Sequence, residues 1–136
     1  MDLESAAKFA ALWWAIDMAA PVFTHEADDF QASIAEMAVA KATRPSPQEI
    51  ITFANILERL ILHPVWEDDL EFIVLNTKYE PEGILAAAIR QSGRTPNVHH
   101  LSWFKRMRIT RDGVVYISKY QDSKGSESWM VIHGEE

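Results

Sequence analysis

Hydrophobic positions recur at helical spacing from the first residues of the chain. Asp2 can cap a helix that runs to about Ala20 and is stopped by Pro21. Apolar side chains lie most of the way round this helix, so it must be buried on more than one side. We therefore predict an N-terminal helix that packs against the rest of the protein.

A second helical pattern follows over residues 24–41, and its first turn is acidic, as the helix dipole favours. Two prolines within residues 44–47 then rule out a continuous helix. The break predicts an acidic helical segment over residues 1–44, acting as a lid or dimerisation element. Residues 45–136 form the second region, and the two together are expected to make one compact unit.

The strongest helix start in the chain lies directly after this break. Ser46 can act as the N-cap, Pro47 occupies the first helical position, and Glu49 completes a capping box. Apolar residues then follow the helical period up to His63.

Three more helices are expected between residues 66 and 107. Residues 66–76 fit either a helix or a buried strand, and the spacing of their apolar side chains favours a helix. The next helix starts after Pro81 and ends at Gly93, and another starts at Thr95 and runs to about Met107.

Beyond Met107 the period changes from helical to alternating. Asp112 and Gly113 stand between two β-rich arms, which is a strong hairpin signal, and residues 122–125 form a turn into a third strand. The predicted fold class is therefore α+β, with a mainly helical domain and a C-terminal three-stranded antiparallel ribbon.

Charge divides the chain unevenly. The net charge is −7, but residues 1–89 hold five basic against fifteen acidic residues, a net −10. Residues 90–124 hold eight basic against two acidic residues, a net +6. Such polarity predicts that the two parts face different partners or each other.

The order helix, tight turn, helix and hairpin over about residues 48–132 resembles a winged helix-turn-helix. The resemblance rests on element order and on the packing positions Ala88, Val98 and Leu101, without a family motif. It implies a nucleic-acid-binding face on the second helix and the hairpin. The candidate residues for contact with nucleic acid or another partner are Arg94, His99, His100, Trp103, Lys105, Arg106, Arg108 and Arg111.

Two alternatives stay open at this point. The basic face can pair with the chain's own acidic helices, or the protein can be an acidic inhibitor or immunity-type protein, such as a phage-encoded antagonist that imitates nucleic acid and blocks a basic groove on a host protein. The candidate acidic partner surface comprises Glu26, Asp28, Asp29, Glu67, Asp68, Asp69 and Glu71.

Enzymatic chemistry finds little support in the residues. The absence of cysteine excludes disulfides, zinc–cysteine sites and thiol catalysis, and no phosphate-binding loop or nucleophile motif occurs. His25 near Asp28, and the acids at 67–71, are better explained as solvated helix starts than as a metal site or a carboxylate pair. We predict a non-catalytic regulatory protein with no catalytic residues, metal or cofactor.

The apolar stretch over residues 6–23 is interrupted by Lys8 and Asp17, which argues against a membrane span and favours a cytoplasmic protein. The first helix carries Trp13 and Trp14, and a homodimer through this helix is expected.

Overall fold

A computed structural model describes residues 2–20, 44–63, 70–78, 80–96, 100–102, 105–120 and 127–134. Within these residues the chain forms three helices, α1 (Leu3–Ala19), α2 (Pro47–Leu62) and α3 (Gly83–Gln91). It also forms one antiparallel sheet of order β1-β2-β3-β4, with strands β1 (Phe72–Asn76), β2 (Arg106–Thr110), β3 (Val115–Tyr120) and β4 (Glu127–His133). The α+β class is confirmed, but the predicted three-stranded ribbon is wrong, because the sheet has four strands.

Local capping chemistry starts and ends the helices as expected. The Asp2 side chain accepts a hydrogen bond of 2.8 Å from the Ser5 amide at the start of α1. Ser46 and Glu49 form the reciprocal capping box of α2, at 3.2 and 2.9 Å. Gly93, with φ of 93°, takes the left-handed conformation just after α3. These predictions from sequence are confirmed.

The segment over residues 72–76 is a strand, so its prediction as a helix is wrong. Burial alternates along β1, with Ile73 and Leu75 facing the core, and every residue of the strand pairs with β2. Alternation and a long-range partner therefore override the helical spacing. Residues 66–69 lie outside the described part of the chain, as do the helix predicted over 24–41 and the turn predicted over 122–125.

The helix predicted from Thr95 to Met107 is also wrong. Residues 94–96 and 100–102 are irregular, and β2 begins at Arg106. The winged-helix-like order is thus not confirmed, since no helix occupies the described residues at the place of the second helix. The Asp112–Gly113 hairpin, by contrast, joins β2 to β3 as predicted, and the last predicted strand is β4.

Long-range hydrogen bonds take the place of helical ones in this segment. The carboxylate of Asp17 accepts bonds from the amide of Ser102 at 2.8 Å and from its hydroxyl at 2.6 Å. The Thr77 hydroxyl donates to the Ser102 carbonyl at 2.7 Å and accepts from the Lys105 amide at 3.0 Å. The backbone groups of Ser102 and Lys105 are therefore bonded to α1 and to the residue after β1 rather than to helical partners.

On one face of the sheet α1 contacts β2 and α3 contacts β1, and α2 packs against these two helices. Their buried side chains form a single core with the inward residues of the strands, and α1 contributes a small-residue surface together with the fully buried Trp14. The inward strand residues are Ile73, Leu75, Met107, Ile109, Val115 and Ile117. None of the helices in the described part of the chain has both the length and the apolar character needed to cross a membrane.

Asp17 makes stability depend on pH. Burial raises its pKa above the ordinary 3.8, although the Ser102 hydrogen bonds and the charge of Lys105 act in the opposite direction. A raised pKa in the folded state contributes stability that is fully present below the unfolded pKa of about 3.9 and is lost as the pH rises through the folded pKa. We expect the free energy of unfolding of the wild type, relative to Asp17→Asn, to fall over that window in urea titrations. A difference that stays constant with pH would contradict this.

Candidate functional site

The alternation of β2 places two arginines on the face of the sheet that points away from the helices. Arg106 and Arg108 flank Met107, whose side chain is fully buried in the core. In the strand register Arg108 lies opposite Val74 on β1 and Tyr116 on β3. The outward face of the sheet therefore has a cation at its centre.

Three aromatic rings surround the Arg108 guanidinium. Its Cζ lies 4.5 Å from the ring centre of Tyr116, 4.8 Å from that of Trp129 and 5.3 Å from that of Phe72. Arg106 lies over the same Trp129 ring at 5.7 Å. All four distances fall within cation–π range. We refer to these residues, Phe72, Arg106, Arg108, Tyr116 and Trp129, as the arginine–aromatic face.

Arg108 lacks a carboxylate partner in the part of the chain that the structure describes. No ion pair involves it there, and its Nε is buried without a hydrogen-bond acceptor among those residues. A buried donor without an acceptor costs about 1–3 kcal/mol, more when the group is charged. The Nε atom itself is closed to solvent, so an anionic ligand would approach the exposed part of this half-buried guanidinium, which the rings already hold in place.

The other described basic residues of the predicted binding surface lie outside the arginine–aromatic face. Arg94, just after α3, forms an ion pair of 2.6 Å with Glu49 of the capping box. The Nε of Arg111 donates to the Leu70 carbonyl at 2.9 Å, which fixes the turn after β2 to the residues before β1. Lys105 is half-buried immediately before β2. Among the candidates that the structure describes, Arg106 and Arg108 therefore lie together on one face, whereas Arg94 and Arg111 are bonded elsewhere.

The prediction that His100 faces solvent is wrong. Its side chain is 2% exposed, and the nearby Ser102, which is hydrogen-bonded to Asp17 and Thr77, is also buried. His99 and Trp103 lie outside the described residues.

Of the predicted acidic surface, the described residues include Glu71, which is exposed just before β1. Glu26, Asp28, Asp29, Glu67, Asp68 and Asp69 lie outside them. Protein contact through this acidic surface therefore stays a prediction.

Sequence reasoning missed the three rings of the arginine–aromatic face. The sequence pattern places Phe72 in a predicted helix and Tyr116 and Trp129 in predicted strands, and it gives none of the three a role in binding. The available signal is the alternation of the strands, which sets Tyr116 on the face opposite to its buried neighbours Val115 and Ile117, and the pairing of β3 with β4 puts Trp129 on that same outward face. This alternation reveals the face only when β1 and β2 are also known to be strands, because Phe72 lies on β1 and Arg108 lies on β2.

A second surface feature lies between α1 and α2. A groove of about 340 Å³ is lined by apolar side chains, among them Leu12, Ile16 and Ile51, which are all exposed. Trp14 belongs to the core and Trp13 is half-buried against it, edge-on at 4.8 Å. The tryptophan pair is therefore not the exposed part of α1, and a homodimer through this helix stays a prediction.

In the described residues, no three or more His, Asp or Glu side chains come together in a way that could hold a metal ion. A search of protein-family models, curated proteins and solved structures finds no match to this chain, so its function is argued from its own residues.

Proposed function

We propose that the chain is a non-catalytic, cytoplasmic regulatory protein that binds nucleic acid through the arginine–aromatic face. One observation carries the proposal: Arg108 is held by three aromatic rings and has no carboxylate partner among the described residues. A structural arginine would be expected to pair with one of the chain's many acids.

The arginine–aromatic face has groups that suit both parts of a nucleotide, its phosphate and its base. A guanidinium can donate two parallel hydrogen bonds to one phosphate, and it also stacks on planar rings. The ring contacts restrict the Arg108 side chain before a ligand arrives, so less conformational entropy is lost on binding. Rings next to such a cation offer apolar planes on which bases stack.

The alternative of an internal charge match applies to a different residue. Arg94 pairs with Glu49, so that part of the basic segment is neutralised within the chain. Arg108 instead contacts rings, which leave its charge intact. The excess of basic residues over positions 90–124 thus contains a structural cation, Arg94, and a cation, Arg108, whose ring contacts support a role in binding.

An inhibitor that acts by protein contact is the rival proposal. Arginine and aromatic residues are also the usual anchors of protein interfaces, so the same face can bind a protein. Oligonucleotide binding measured at several salt concentrations separates nucleic-acid binding from protein binding, since a face specific for a protein will not bind oligonucleotides in a salt-dependent way.

Arg108→Gln is expected to weaken binding to labelled oligonucleotides by about 10- to 100-fold, because a charge-assisted hydrogen bond contributes about 1.5–3 kcal/mol. The slope of log affinity against log salt should fall by about 0.7 for a single-stranded ligand, as expected for the loss of one phosphate contact. Fluorescence anisotropy at several salt concentrations measures both quantities, and thermal unfolding checks that the variant is folded.

Arg90→Gln is the matched control, since it removes the same charge from an exposed position on α3. Its affinity and salt slope should equal those of the wild type. If neither DNA nor RNA binds at low salt, or if the two variants lose affinity equally, the proposed function is wrong.

A further inference from the structure

We infer that the arginine–aromatic face takes single-stranded rather than duplex nucleic acid. This inference rests on the proposed function and names the class of ligand for the same surface. Three independent features of the described residues support it: the position of the hairpin turn, the exposure of the rings and the small number of cations.

The hairpin between β2 and β3 does not project from the protein as a wing. Gly113 and Val114 in the turn are buried, and Gly113 lies against the backbone of Asp2 at the start of α1. The side chain of Arg111 is bonded back to the Leu70 carbonyl. The major groove of a duplex accepts a helix or a two-stranded ribbon, and this ribbon is packed against α1.

The rings instead line the outward face of the sheet, so a base can stack on them only if it leaves its neighbours in the nucleic acid. Phe72 is 42% exposed, and Tyr116 and Trp129 are half-buried beside the two guanidinium planes. Bases inside a duplex are already stacked on each other, whereas unpaired bases can stack on aromatic rings and on arginine. Phe72 has the largest exposed fraction of the three.

Charge also favours a ligand of lower charge density. Duplex DNA carries one negative charge per about 1.7 Å of its axis, with both strands counted. The arginine–aromatic face offers two cations on a protein whose net charge is −7. Two arginines match one or two phosphates of a single strand, and a duplex brings a second charged strand towards an acidic protein.

The test compares one sequence in two forms, a labelled oligonucleotide of about 12 nucleotides and the same oligonucleotide annealed to its complement. We expect the single strand to bind at least about 10-fold more tightly at equal salt. Phe72→Leu keeps an apolar side chain and removes the ring, and it should weaken single-strand binding by about 5- to 100-fold, the range found for the loss of one stacked base. Duplex binding should change little.

Met130→Leu is the control, because Met130 is similarly exposed on the same sheet but alternates to the other face from Trp129. It should bind both forms as the wild type does. If the duplex binds as tightly as the single strand while Arg108→Gln still weakens binding, the single-strand inference is overturned and the proposed function stands. If neither form binds the wild type, both are overturned.

Discussion

Replacing Trp14 with Ala should lower the free energy of unfolding by about 3–5 kcal/mol, the range for removing a large aromatic side chain from a core. Trp14 is fully buried in the middle of α1 and belongs to the core that joins the three helices to the sheet. Small alanines dominate the rest of the buried surface of α1, and they cannot move to fill the space. Urea unfolding followed by circular dichroism measures the change.

Trp14→Phe separates the role of the ring from that of the indole N–H. The Nε1 of Trp14 is buried without an acceptor among the described residues, so phenylalanine removes an unsatisfied donor while keeping most of the packing. We expect this variant to lose less than half as much stability as Trp14→Ala. Ile16→Ala, at a position 71% exposed on the same helix, should change stability by less than about 0.5 kcal/mol. An equal loss in Trp14→Ala and Ile16→Ala would contradict the described core.

Gly113→Ala should cost about 2–4 kcal/mol. The φ of Gly113 is 96°, a left-handed value that costs a residue with a side chain about 1–3 kcal/mol. A Cβ at this position would lie 2.6 Å from the carbonyl carbon of Asp2, and closer still to its oxygen, so the backbone there must move. That movement would disturb the N-cap bond that the Ser5 amide donates to the Asp2 carboxylate, which accounts for about 1 kcal/mol more.

Gly93→Ala is the matched control for the backbone conformation. Gly93 has almost the same φ, 93°, but a Cβ there would meet no atom within 4 Å. It should therefore show the conformational cost of about 1–3 kcal/mol alone. Thermal or urea unfolding of both variants tests the contact between the hairpin turn and α1, and equal losses would show that this contact is absent.

The parts of the fold that the sequence predicted depend on short-range chemistry. Asp2, the Ser46–Glu49 capping box and Gly93 mark helix ends through contacts within a few residues, and the Asp112–Gly113 pair marks the hairpin in the same way. All the residues that each of these contacts needs lie within one short segment, so the local structure can be predicted without knowing the tertiary structure around it.

The parts that it did not predict depend on partners far along the chain. β1 becomes a strand by pairing with β2, which begins thirty residues after β1 ends, from Asn76 to Arg106. The residues before β2 avoid a helix because Asp17 and Thr77 bind their backbone. Since β1 and β2 are partners, a helix prediction over β1 leaves β2 without its pairing strand, and the predicted helix to Met107 then covers the start of β2.

The candidate site follows the same division. Charge counting points at the segment that contains Arg106 and Arg108, since an excess of basic residues is visible without structure. The rings that hold Arg108 come from β1, β3 and β4, and only the sheet brings them together. A site assembled across four strands cannot be seen from spacing within one segment.

If the outward face of the sheet is the binding surface, an NMR titration of the ¹⁵N-labelled protein with a single-stranded oligonucleotide will show it directly. The largest chemical-shift changes should fall on the backbone amides around Phe72, Arg108 and Tyr116 and on the indole N–H of Trp129. The shifts of amides beside the groove between α1 and α2, such as that of Ile51, should not change. Largest changes at that groove, or none anywhere at saturating oligonucleotide, would show that the outward face is not the binding surface.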